Sequence, residues 1–176
     1  MKDGAVAESM HFKHYPAERL AIESIASRLT AAENAFRAWL MDYTIAHGAP
    51  FDFNGAHPEG MDAHGVPLMM DSLIGKKAVV VDADGRVNFI YPVSALPTHH
   101  RVFLKDGRSF NAMCAIDAMG AAFTFEQDIR VESKCSECGE KVFIEIEDGR
   151  IAHLSPDTTH ALHVDLKRND NWAGSC

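Results

Sequence analysis

Residues 100–112, HRVFLKDGRSFNA, run into 113–122, MCAIDAMGAA, and then into 129–148, IRVESKCSECGEKVFIEIED. These three pieces decide the fold class. The first and third alternate apolar and polar residues with the period of a strand, and each breaks at a turn. In one the turn is Asp106-Gly107, in the other Ser136-Glu137-Cys138-Gly139. Asp-Gly between β-rich runs signals a hairpin, because glycine takes up a left-handed backbone at no steric cost. The middle piece is apolar and alanine-rich and reads as a short helix. Asp148-Gly149 marks a further turn before RIAHLSP. The expectation is an α+β protein: antiparallel strands joined by tight turns, with a short helix among them.

Upstream, AVVVD and RVNFIYPV flank Ala83-Asp84-Gly85 and predict another hairpin. A short helix is expected over Leu68 to Ile74. Residues 49–66 are rich in Gly, Pro, His and Asp and read as a surface loop, with His57 and His64 solvated. Thr30-Ala31-Ala32-Glu33 is a capping-box pattern. In such a box the hydroxyl accepts from the third amide of the new helix, and the carboxylate reaches back to the cap amide. The helix it opens passes through Phe36, Trp39, Leu40 and Tyr43 and ends at Gly48 and Pro50. Residues 16–29 place Leu20, Ile22, Ile25, Ala26 and Leu29 near one helical face, with Pro16 at a first helical position. A helical hairpin followed by a β-hairpin resembles a winged helix in outline. The expected division is a helical, winged-helix-like lobe over residues 1–97 and a small mixed or antiparallel sheet lobe over 98–176.

Composition narrows the function. The 176 residues carry 17 Lys and Arg against 25 Asp and Glu, a net charge of −8. Phosphate backbones are repelled by such a balance, so nucleic acid is not expected as a partner. The N-terminal helices set Glu18, Glu23, Glu33 and Asp42 against Arg19, Arg28 and Arg37, with no basic recognition face. That lobe reads as scaffold. No run of roughly 18 apolar residues is present, so no membrane span is expected. MKDGAVAESMHFKHYP has charges where a secretory leader needs an apolar stretch, so a cytoplasmic location is expected. In that compartment cysteines serve as small core residues, metal ligands or nucleophiles more often than as disulfides.

Four cysteines are present: Cys114, Cys135, Cys138 and Cys176. Cys114 and Asp117 are three apart on the expected short helix, so thiol and carboxyl can share a face. Met113, Ala115, Ile116, Ala118 and Met119 surround them, and an Asp in so apolar a run calls for a reason. One reason is a thiol–acid pair in a pocket; the other is a carboxylate on the solvent side of an amphipathic helix. Cys135-Ser136-Glu137-Cys138-Gly139 is a CxxC followed by Gly, the shape of a zinc knuckle, or else a β-turn with incidental thiols. A structural zinc needs two more ligands, from His153, His160, His163 or Cys176, and these have no regular spacing, so little zinc is expected. A redox role fits less well, because the motif lies between strands and not at a helix N-terminus. His99 and His100 diverge on a strand and read, like His160 and His163, as surface residues. A thiol at Cys176 matters only if the tail docks beside Cys114.

Asn111-Ala112-Met113-Cys114-Ala115-Ile116-Asp117-Ala118-Met119 resembles the Cys-Ala-(Leu/Ile)-Asp helix of the organomercurial (alkylmercury) lyases. Residues 131–146 resemble the strand–turn–strand that follows it, with Cys135 matching a cysteine of structural role. Asn171-Trp172-Ala173-Gly174-Ser175-Cys176 resembles the approach to the family's second catalytic cysteine. Members continue past that cysteine, so the resemblance implies a C-terminally shortened member. It also implies protonolysis of carbon–mercury bonds, giving a hydrocarbon and thiolate-bound Hg(II). Cys114 and Cys176 would be the catalytic and mercury-binding thiols, and Asp117 the proton carrier. No organic cofactor is implied. The expected partners are a small organomercurial and a mercuric reductase or thiol carrier that accepts Hg(II). The alternative on the same scaffold is a non-catalytic metal-binding or thiol-sensing module using Cys135 and Cys138.

Overall fold

The computed structural model describes residues 24–52, 57–61 and 64–162. Its frame is one antiparallel sheet of nine strands: β1 Phe51–Asp52, β2 Val79–Val81, β3 Arg86–Ile90, β4 Val93–Ser94, β5 His100–Leu104, β6 Ser109–Ala112, β7 Ile129–Lys134, β8 Lys141–Glu147 and β9 Arg150–Ser155. Among the described residues three α-helices join it: α1 Ala31–His47, α2 Gly65–Gly75 and α3 Ala115–Thr124. The sheet order is β1-β3-β4-β6-β5-β7-β8-β9, with β2 pairing β3 as well.

The expected hairpins form: β2 with β3, β5 with β6, β7 with β8, and β8 with β9. Their turns use the left-handed backbone anticipated for them, with φ of 81° at Gly85 and 92° at Gly107. At the β8–β9 turn both Asp148 (48°) and Gly149 (70°) are left-handed, the pattern of a type I′ hairpin.

The capping box at the start of α1 is present in both halves. The Glu33 N–H donates to Thr30 Oγ1 at 3.3 Å, and the Thr30 N–H donates to Glu33 Oε2 at 2.6 Å. Gly48 (φ 60°) closes the helix. Upstream of α1 the described residues hold a single 3-10 turn, Ala26–Arg28, in place of the end of the helix expected over 16–29; residues 16–23 of that helix lie outside them.

Two expectations are corrected. The segment 49–66 is not all surface loop: Phe51 forms β1 and is fully buried, with its ring edge-on to Trp39 and Tyr43. Helix α2 begins at Gly65, three residues before the expected start. A winged-helix lobe is not shown. Instead α1 and α2 pack on one another, with α1 against β1, β3 and β4 and α2 against β2, over the same sheet that continues into β5–β9.

The core is continuous from Phe36, Leu40, Met70 and Leu73 under the first helices to Val102, Val131, Ile144 and Ile146 in the later strands. Helix α3 lies across β5, β6 and β7 on Ala118, Ala121 and Ala122, all fully buried. These small side chains let the helix axis approach the sheet closely. Strands β5 and β7 alternate as expected: Val102, Leu104, Ile129 and Val131 point inward, while Arg101, Arg130 and Glu132 face solvent. Arg130 covers the Phe103 ring at 4.4 Å on that outer face.

Candidate active site

Strand β6 ends at Ala112, and two residues later the chain enters α3. Cys114 stands at that junction as the N-cap, in extended backbone (φ −145°, ψ 177°), and is 7% exposed. Its sulfur does what a Ser or Asp side chain does at most caps: it accepts the Asp117 N–H at 3.5 Å. The Cys114 thiol also donates to Asp117 Oδ2 at 3.2 Å. The pair therefore meets, though not as two rungs of one helix. Helix α3 starts after Cys114, and the contact is a cap folding back on the third helical residue. Asp117 is half-buried, in the first turn, where the N-terminal dipole favours a negative charge.

A second charge lies under the site. Arg37 of α1 is 7% exposed. Its guanidinium donates to the Tyr91 carbonyl, just before β4. Strand β4 pairs with β6 through Val93–Ala112, so Arg37 is tied to the strand that leads into Cys114. Burial pulls the Arg37 pKa down to about 10, and the negative charge of Asp117 works against that fall. It is cationic at neutral pH all the same. In sequence Arg37 and Glu33 stand simply among the mixed charges of the N-terminal helices. Their spacing held a signal: Glu33, Phe36, Arg37, Leu40, Met41 and Thr44 recur as one helical stripe, and all six are buried.

Glu33 is 6% exposed and holds α1 to α2. It accepts from Ser72 Oγ and from Lys76 Nζ at 2.6 and 2.7 Å. The Lys76 contact first, then Ser72 and the Thr30 amide, pull its pKa down to about 2.

Cys135 and Cys138 lie away from this pair, at the tip of the β7–β8 hairpin. The Cys135 N–H donates to the Glu140 carbonyl at 2.8 Å, and the Gly139 N–H returns to the Cys135 carbonyl at 3.0 Å. Gly139 is left-handed (φ 73°), which suits a residue without Cβ. The amides of Cys138 and Glu137, with the Cys138 thiol, hydrogen-bond the Cys135 sulfur and lower its pKa. Among the described residues no group of three or more His, Cys, Asp or Glu is placed to hold a metal ion.

The histidines scatter. His57, His64, His99, His153 and His160 are exposed. His100 is half-buried, its Nδ1 2.9 Å from Ser133 Oγ; burial, then the neighbouring His99, lowers its pKa. His163 and Cys176 lie outside the described residues. No described helix is long and apolar enough to cross a membrane.

Residues 93–176, which carry the Cys114–Asp117 cap, match the family model for MerB, alkylmercury lyase. The C-terminal half of the chain, residues 93–176, is thus similar to the alkylmercury lyases. Curated alkylmercury lyases from Bacillus cereus and Clostridium butyricum are each 30% identical to it over 81 residues, 46% of this chain and 36% of theirs. One from Staphylococcus epidermidis is 31% identical over the same length, 37% of that protein. The chain thus spans little more than a third of the alkylmercury lyases it matches. A solved structure described as the mercury-bound form of MerB2 shares the fold with a TM-score of 0.57 and 21% identity, over 76% of this chain and 64% of that one.

Proposed function

We propose that this chain cleaves carbon–mercury bonds by protonolysis, with Cys114 as the first mercury ligand and Asp117 as the proton carrier. The observation that carries this reading is the 3.2 Å contact between the Cys114 thiol and Asp117 Oδ2 at a buried helix cap. The match of residues 93–176 to the alkylmercury lyase family model supports it.

The chemistry follows from the geometry. Thiolates bind mercury strongly because both are soft. As the Cys114 sulfur bonds to the metal of an organomercurial, its proton passes to the carboxylate already in contact with it, and the original counter-ligand leaves as an anion. A second thiolate, assigned here to Cys176, enriches the metal in electrons and makes the bound carbon more basic. Asp117 then returns the proton to that carbon. The carbon–mercury bonding pair goes to carbon, and Hg(II) stays on two sulfurs. Arg37 favours the ionised form of Asp117 before it takes the thiol proton and again once the proton has gone to carbon. Mercury is substrate and product throughout, and the Hg(II) then passes to a thiol carrier or a mercuric reductase.

We further assign residues 1–97 as scaffold and 98–176 as the lyase-like part. The family match from Val93 onward supports that division. A non-catalytic module binding metal at Cys135 and Cys138 is the second reading, favoured by the hairpin-tip geometry of that pair. Product assay separates the two: with an arylmercurial and excess monothiol the full chain should release arene, and Cys114→Ser should release none. A wild-type chain that binds the arylmercurial and releases no arene overturns the catalytic reading.

A further inference from the structure

The sheet register relates the CxxC turn to the candidate active site. Arg101 in β5 pairs with Asn111 on one side and with Glu132 on the other. Strands β6 and β7 both run antiparallel to β5, so they leave that level in the same direction. Cys114 lies three residues past Asn111, and Cys135 lies three residues past Glu132. The two cysteines therefore stand at the same end of the sheet. Two strand spacings separate their parent strands, roughly 10 Å.

We propose that Cys135 and Cys138 form a second mercury site, a two-thiolate acceptor that takes Hg(II) from Cys114. Two sulfurs suffice for this metal. A tetrahedral zinc needs four ligands, and no cluster of three or more ligating side chains exists among the described residues. The turn is preorganised for a pair of sulfurs. The Cys135–Glu140 and Gly139–Cys135 backbone bonds close it, and the amides of Glu137 and Cys138 are aimed at the Cys135 sulfur. Both thiols are reachable, Cys135 half-buried and Cys138 exposed, and neither is in a disulfide. Lys134 and Lys141 stand opposite one another at the base of the turn and offset Glu137 and Glu140 in its loop. Transfer is a ligand exchange without redox change. A mercury–sulfur bond to Cys135 forms as the bond to Cys114 breaks, and the proton of the incoming thiol goes to the departing thiolate. In the second exchange a bond to Cys138 forms as the remaining bond to Cys176 breaks, and the Cys138 proton goes to that departing thiolate.

The transfer rests on the lyase reading, but the affinity of the turn does not, and the test separates them. The full chain is reduced, freed of reductant, and given inorganic Hg(II) with a large excess of a monothiol; bound mercury is measured after gel filtration. In a Cys114→Ser, Cys176→Ser background the turn is the only thiol pair left, and about one Hg(II) per chain should survive. Adding Cys138→Ser at the exposed position should reduce retention at least tenfold, with circular dichroism unchanged. Equal retention with and without Cys138, or none in the background variant, overturns the proposal. Arene release by the wild type is scored separately, so an inactive chain with a mercury-retaining turn refutes only the lyase reading.

Discussion

Cys114 and Asp117 are tied together twice. The thiol reaches the carboxylate across 3.2 Å, and the Asp117 N–H returns to the same sulfur at 3.5 Å. The second bond fixes the first. Because Asp117 is the third residue after the cap, the backbone geometry of a helix start holds its side chain over the sulfur. Little side-chain freedom is therefore lost when a substrate binds.

Asp117→Asn keeps the shape of the side chain and its capacity to accept from the thiol, but it cannot carry a proton to carbon. The variant should fold, bind an arylmercurial through Cys114, and release arene about 10²–10⁴-fold more slowly. Single-turnover gas chromatography of the arene checks this. An unchanged rate would make Asp117 a bystander.

Arg37 gives a pH test. Its positive charge favours the ionised form of Asp117, which is the form that takes the thiol proton. Replacing it with Met removes that preference, so the acid limb of kcat/KM should move to higher pH. Arg37→Lys should restore much of the wild-type profile. A merely structural role would lower activity at every pH alike.

Glu33 predicts how stability responds to acid. Its folded-state pKa, about 2, lies below the unfolded value of about 4.3. The folded state therefore holds its proton less tightly, and stability is present in full above pH ~5 and is lost as pH falls toward 2. Urea midpoints should drop over that window in the wild type and fall less in Glu33→Gln. Thr30→Ala removes the other half of the box and should cost about 1 kcal/mol at neutral pH.

Ala121 tests the seat of α3. It is fully buried between α3 and the sheet, so Ala121→Leu must lift the helix or distort a neighbour. A loss of about 1–3 kcal/mol is expected, with arene release falling further than stability alone explains. Ala121→Gly should leave the separation of helix and sheet unchanged and retain most activity.

The legible features were local. Asp-Gly turns and the Thr30–Glu33 box declare themselves within a few residues, because glycine conformation and cap chemistry act at that range. The Cys114–Asp117 pair was visible as a spacing, but its cap geometry depended on α3 starting after Cys114. Strands β1 and β4, two residues each, were not legible, since nothing in Phe51–Asp52 or Val93–Ser94 alone names a partner. Arg37 looked like any charge on a helix, and its burial follows from the Tyr91 carbonyl, 54 residues away.

Strand β4 has a consequence for inheritance. Val93 and Ser94 are buried because β3 flanks them on one side and β6 on the other. The family-matched part begins at Val93, while β3 belongs to what precedes it. The family-matched segment is thus not a cassette that recombination can move alone. Any chain that acquires it must already offer a strand edge of the right register, so the host's sequence is free to drift while the shape it presents is not.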